Sequence, residues 1–135
     1  MIVVKYLDGV EFLLDKMKNC CINYHNKFIC NYEARDEGYY AVHLSVWNIS
    51  EIPKLDWDTE KVNTCFEIQI TTQLQEVIRA LLHVYYEDKR KQLVKDNTIW
   101  QWNYKSDEFS ANYLGHILHY IEGMIMEVRD KKEDL

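Results

Sequence analysis

Between Val62 and Ile70, Val62, Thr64, Phe66, Ile68 and Ile70 fall on one side of an extended chain, and Asn63, Cys65, Glu67 and Gln69 on the other. A second alternating stretch runs from Tyr39 to Trp47, with Tyr40, Val42, Leu44 and Val46 as its core face and Tyr39, Ala41, His43 and Ser45 opposite. Each reads as a half-buried β-strand. A strand that keeps an acid and an amide on its second face either lines a cleft or is simply wet there. If the two strands pair, Tyr39, His43, Glu67 and Gln69 come onto one surface, and that constellation has the look of a site. The register is not readable from the pattern, because a slip of one residue turns every side chain to the other face.

Shorter signals complete the outline. Met1–Tyr6 and Lys27–Tyr32 read as strands, and the polar run Glu33–Gly38 as a turn leading into Tyr39. Val10, Leu13, Leu14 and Met17 recur at helical spacing, so a short amphipathic helix is expected over Val10–Met17. Thr72-Gln73-Leu74-Gln75 fits a capping box opening a helix from Gln73 to about Val94, with Leu74, Val77, Ile78, Leu81 and Tyr85 as its buried stripe. A last helix begins near Ser106, whose hydroxyl can cap it, while Asp107 and Glu108 suit its positive end. Its expected buried stripe is Leu114, Ile117, Leu118, Ile121, Ile125 and Val128.

Between these elements, Asn48–Lys61 holds the only proline, Pro53, and reads as a long irregular connection, with Trp47 and Trp57 packing across it. Trp100-Gln101-Trp102-Asn103-Tyr104 reads as an aromatic core plug rather than a base-stacking surface. Strand and helix signals are interleaved rather than strictly alternating. The expected fold is therefore α+β: a mixed, mainly antiparallel sheet containing residues near Val3, Val42 and Ile68, with helices packed over it. A chain of 135 residues, 47% hydrophobic, suffices for one domain spanning 1–135.

Composition narrows the function classes. A formal charge of −6 argues against a broad non-specific nucleic-acid surface, leaving Lys89-Arg90-Lys91 and Lys95 as the only candidate tRNA-contacting patch. No long apolar run and no basic leader is seen, so neither a membrane span nor a signal peptide is expected, and the location expected is cytoplasmic. Cys20, Cys21, Cys30 and Cys65 lack zinc-type spacing and read as reduced, partly buried thiols. His116 and His119 stand at i, i+3, a pair that more often fills a surface or a core than holds a metal.

Two segments carry a resemblance. Gly38-Tyr39-Tyr40-Ala41-Val42-His43, followed after a connection by Glu67-Ile68-Gln69-Ile70-Thr71-Thr72, resembles the paired motifs of the RelA/SpoT-type nucleotide pyrophosphokinases. There a Gly-Tyr-Arg-(Ser/Ala)-(Ile/Leu)-His strand precedes a Glu-(Val/Ile)-Gln-Ile-Arg-Thr strand and a long helix. The two motif arginines are Tyr40 and Thr71 here, which makes the chain similar to the toxic small-synthetase branch, whose members modify adenine nucleotides or the 3′ end of tRNA.

The resemblance implies a nucleotidyltransferase-like synthetase domain that transfers the β,γ-pyrophosphate of ATP to a ribose 3′-hydroxyl with the help of Mg2+. It implies Glu67 as the catalytic carboxylate and Mg2+ ligand, Tyr39 as the ring that stacks on the acceptor base, and His43 and Gln69 as supports of the acceptor side. The partners it implies are ATP with a guanine or adenine nucleotide, or a tRNA 3′ end, with an antitoxin or a second copy as possible protein partners. In that family an ATP-binding half precedes these motifs, and Met1–Tyr6 resembles the strand just after its metal-binding Asp, with Asp8 no substitute for it. The chain is thus expected to be the acceptor-side part of a synthetase domain, unable to turn over ATP alone. The alternative is a catalytically incomplete nucleotide-binding or regulatory remnant acting through a protein partner.

Overall fold

The structure, a computed structural model, describes residues 1–55, 58–91 and 99–133. In chain order the elements are β1 (Ile2–Val4), α1 (Leu7–Asn23), β2 (Lys27–Ala34), β3 (Tyr40–Pro53), β4 (Thr59–Thr72), α2 (Gln73–Lys91) and α3 (Asp107–Glu133), with a short 3-10 turn at Trp100–Trp102 before α3. The strands form one sheet in the order β1-β4-β3-β2. β1 runs parallel to β4, and the other pairings are antiparallel, so the sheet is mixed and the fold is α+β.

The two alternating stretches pair in the register that brings their polar faces together. His43 lies opposite Gln69, and Ser45 opposite Glu67. On the other face Val42, Leu44, Val46 and Ile70 meet Val10, Leu14 and Cys21 of α1, with Phe28, Cys30 and Ile68 packed around them. Leu44 and Ile70 are fully buried. Each side chain of this kind contributes roughly 1.5–3 kcal/mol by leaving water, which makes the α1 face of the sheet the main core. Phe66 belongs to the same face but stays half exposed, because the strand outruns the helix that covers it.

Several sequence expectations are corrected. Asn48–Lys61 is no irregular connection: β3 continues to Pro53 and β4 starts at Thr59, with rungs from Asn48 opposite Thr64 to Pro53 opposite Thr59. This outer ribbon has few buried positions, so the one-sided alternation that betrays a strand is missing from it. It is held by its ladder and by diagonal side-chain contacts such as Ser50 Oγ to Thr64 Oγ1 at 3.2 Å. Pro53 sits at a strand end, where its missing N–H costs least. Trp47 has Lys27 over its ring at 5.4 Å, and Trp57 lies outside the described residues. Trp102 and Tyr104 are exposed, so the aromatic run is not a core plug; only Trp100 packs, edge-on to Tyr113. Of the four thiols, all free, Cys21 is buried and Cys30 partly so, whereas Cys20 and Cys65 are exposed. Among the described residues no helix is long and apolar enough to cross a membrane.

The two C-terminal helices are also rotated from the expected orientation. α2 buries Gln75, Ile78 and Leu82 while Val77 and Leu81 are exposed; α3 buries Ala111, Asn112 and Glu122 while Leu114, Ile117, Ile121 and Val128 are largely exposed. Ile78, Leu82 and Ala111, with Leu118, form the small apolar contact between the helices. The rotation has a polar cause. Thr72 Oγ1 donates to the Glu122 carboxylate, Gln75 Oε1 accepts from the Tyr40 N–H at 3.1 Å, and Gln75 Nε2 reaches Glu122 at 3.4 Å. Buried polar groups must find partners, and those requirements override the apolar stripe. Only half of the capping box forms as a result: Thr72 Oγ1 accepts from the Gln75 N–H at 3.3 Å, and the Gln75 side chain is spent elsewhere.

Candidate active site

The site begins with a glycine. Gly38 has φ +80°, and a Cβ there would come within 2.5 Å of the Asn112 carbonyl oxygen and 2.8 Å of the His116 nitrogen. Gly115 faces it under the same constraint, its own Cβ position being 2.5 Å from the Gly38 oxygen. Two glycines thus let the turn before β3 touch α3 backbone to backbone. The turn closes with Gly38 N–H to Arg35 O and Arg35 N–H to Tyr39 O, both 2.9 Å. Tyr39, one residue before β3, is left only 7% exposed. Burial pushes its phenol above the ordinary tyrosine value, while the nearby Arg79 charge pulls the other way.

One strand pair further along the same face stands a polar triangle. Gln69 Nε2 donates to Glu67 Oε1 at 2.8 Å, and His43 Nδ1 lies 3.3 Å from the same oxygen. These two neighbours, Gln69 first, hold the Glu67 carboxyl below the ordinary carboxylate range. Glu33 of β2 stands on the other side of His43 Nδ1 at 3.7 Å. His43 is itself buried, and its Nε2 has no hydrogen-bond partner among the described residues. A buried imidazole nitrogen of that kind is suited to a ligand's hydroxyl or phosphate. All four residues singled out in the sequence therefore share one face: Tyr39, His43 and Gln69 line one cavity of about 290 Å3, and Glu67 joins His43 and Gln69 at its edge.

The cavity has walls that pattern reasoning missed. Arg35, from the turn, holds its guanidinium 5.6 Å from the Tyr39 ring and pairs with Glu33 at 2.8 Å. Arg79, from α2, lines the cavity with its guanidinium gripped by Glu76. Arg35 was available as the cation four residues before the motif tyrosine, whereas nothing in the sequence brings α2 to that face. The Lys89-Arg90-Lys91 side chains and Lys95 lie outside the described residues. His116 and His119 prove to be partners of Tyr40: the His119 ring stacks on it with centroids 3.7 Å apart, and its hydroxyl meets His116 Nδ1 at 2.8 Å. The two positions that depart from the resembled motifs touch each other, Thr71 Oγ1 donating to the Tyr40 carbonyl at 3.0 Å.

Mg2+ takes oxygen ligands and is commonly held by one or two carboxylates, with substrate phosphates and water completing its shell. Glu67 fits as one such ligand, since both of its contacts fall on Oε1. Among the described residues no three His, Cys, Asp or Glu side chains gather into a metal-holding group. Asp8 is engaged by Arg129 at 3.0 Å, at the start of α1 on the opposite face of the sheet.

No family model matches the chain, and no curated protein matches it significantly. Solved structures do. Small alarmone synthetase 1 from Bacillus subtilis superposes with a TM-score of 0.67 at 10% identity, over 97% of this chain and 61% of that one. Small alarmone synthetase 2 from the same organism gives 0.62 at 15% identity, over 96% and 63%. Synthetase 1 bound to its product pppGpp gives 0.61 at 13% identity, over 94% and 58%. The chain spans about three fifths of the length of the structures it matches, and over that span it has the fold of the small alarmone synthetases.

Proposed function

We propose that this chain supplies the acceptor side of an ATP-dependent pyrophosphokinase, with residues 1–135 forming that part of a synthetase domain. The observation that carries the reading is the convergence of His43 and Gln69, cross-strand partners, on one oxygen of Glu67 beside the Tyr39 cavity. The likeness of fold to a synthetase solved with pppGpp supports it. A carboxylate kept ionised can accept the hydroxyl proton, while its lowered pKa makes it a weak base, so that orientation and negative charge are its main contributions. In the proposed step the acceptor's 3′-hydroxyl oxygen bonds to the β-phosphorus of ATP, the bond from that phosphorus to the α,β-bridging oxygen breaks, and AMP leaves. Glu67 takes the hydroxyl proton. Tyr39, which lines the cavity with the small part of its side chain left exposed, would contact the acceptor base, a contact worth at most the roughly 1–3 kcal/mol of a full base stack, while His43 and Gln69 fix the carboxylate. Mg2+ would neutralise charge on the triphosphate, with Glu67 as one of its ligands. The reading toward the toxic small-synthetase branch rests on the motif residues Tyr40 and Thr71 themselves.

The test has two parts. Incubation with ATP, Mg2+ and each acceptor in turn, followed by mass spectrometry, should show no transfer by residues 1–135 alone and an acceptor gaining a pyrophosphoryl group once an ATP-binding part is supplied, and there Glu67→Gln should lower the transfer rate by at least about a hundredfold. Titration of the chain with nucleotides should show Tyr39→Ala weakening binding about tenfold, in line with the loss of one base stack, and Glu67→Gln sparing it. Full transfer activity in Glu67→Gln would remove the catalytic assignment. Binding without transfer by any form of the protein would instead favour a nucleotide-binding or regulatory role.

A further inference from the structure

We infer that His116 of α3 is a positioning residue of the acceptor site: one imidazole fastens both flanks of Tyr39 and so fixes the ring that faces the cavity. This rests on the acceptor-site reading above and names a residue outside the cavity that sets its shape. The segment from Arg35 to Tyr40 reaches the cavity through Arg35, Glu37 and Tyr39. It is a turn, and what holds a turn decides how well the side chains on it are placed.

The imidazole of His116 meets the turn twice. Its Nε2 lies 2.9 Å from the Asp36 carbonyl oxygen, and its Nδ1 lies 2.8 Å from the Tyr40 hydroxyl. A carbonyl can only accept, so the neutral ring carries its hydrogen on Nε2. Nδ1 is then bare and accepts the Tyr40 hydroxyl proton, so both nitrogens are engaged and each contact supports the tautomer that the other needs. Between these anchors the backbones of Gly38 and Gly115 touch, with no room for a Cβ on either. Contacts at Asp36, Gly38 and Tyr40 thus bracket Tyr39 in the chain.

Tyr40 transmits the hold. Its N–H donates to Gln75, its carbonyl accepts from Thr71, and its ring lies on His119, whose Nδ1 is 3.1 Å from the Glu122 carboxylate. β4, α2 and α3 therefore all grip this one residue, and the hydroxyl is the point at which His116 joins them. Tyr40 lines a different cavity, with Leu7 and Val10 of α1, whereas Tyr39 lines the acceptor cavity. Successive side chains of a strand take opposite faces, so His116 acts on Tyr39 through the backbone rather than by touching a ligand.

The inference is tested by calorimetric titration of the full chain with GDP and with ADP, beside urea unfolding of each variant. Tyr40→Phe keeps the ring on His119 and removes one hydroxyl; His116→Phe keeps an aromatic ring and removes both hydrogen bonds. Affinity for whichever nucleotide binds should fall about threefold in Tyr40→Phe and about tenfold in His116→Phe. The double variant should be no weaker than His116→Phe, because both changes break the same link. His116→Gln, whose amide can still donate to the Asp36 carbonyl, should recover part of the loss. If His116→Phe does not fold, Tyr40→Phe and His116→Gln decide between them. A lower urea midpoint with unchanged affinity, or losses that multiply in the double variant, would overturn the inference and leave the acceptor site standing. Absence of binding by both nucleotides, or binding indifferent to Tyr39→Ala, would remove the acceptor-site reading and this inference with it.

Discussion

Glu67 shows what a sheet can do with an exposed carboxylate. Its side chain is about half in water, yet Gln69 from the same strand and His43 from the next both address Oε1. The carboxyl is held below its ordinary range, so its interaction with these partners is present above the unfolded-state pKa and is lost as pH falls through the lower folded value. Gln69→Ala should therefore move the Glu67 titration upward toward the ordinary carboxylate value, read by carboxyl carbon NMR. The acid limb of any transfer activity should move up in pH with it. A titration unchanged by Gln69→Ala would show that the hydrogen bond does not govern the charge state.

Among the elements, the contacts of α3 with the rest of the molecule matter most for the site. It approaches the turn before β3 through Gly38 and Gly115 and accepts α2 through Glu122, which receives Thr72, Gln75 and His119. Gly38→Ala places a Cβ against backbone at a left-handed φ, and about 2 kcal/mol or more of stability should be lost. Thermal unfolding should report this as a fall in Tm of about 5 to 10 °C. Glu122→Ala leaves buried donors without an acceptor and should cost about 2 to 4 kcal/mol in urea unfolding, with Glu122→Gln recovering most of it. A neutral Glu122→Ala would mean that the network does not orient α2 and α3.

In the whole molecule, burial is uneven. The continuous apolar core lies between α1 and the sheet, whereas α2 and α3 share a small apolar contact and lean on polar links. Local opening follows buried apolar contact density. Amide hydrogen exchange should therefore be slowest in Val42–Val46 and their β4 partners and faster along α2 and α3. Uniform protection across all elements would show one cooperative unit instead. This arrangement mounts Glu67, His43 and Gln69 on the rigid layer and Arg79 on the looser one.

The alternation of Val62–Ile70 and Tyr39–Trp47 was enough to place Tyr39, His43, Glu67 and Gln69 on one face, because side-chain direction along a strand is a local property with a fixed period of two. The capping serine of α3 was equally local: Ser106 Oγ accepts from the Phe109 N–H at 3.1 Å. Register, the length of the outer ribbon and the rotation of α2 and α3 are settled by groups far apart in sequence, such as Tyr40 with Gln75 and Thr72 with Glu122. The same holds for Arg79, whose place beside Tyr39 follows from how Gln75 docks α2 on the sheet. Sequence thus determined which residues could meet on a face, since backbone geometry does that one strand at a time. Tertiary structure decided which cations and which helix faces join them, since pairing buried polar groups is a condition on the folded chain as a whole.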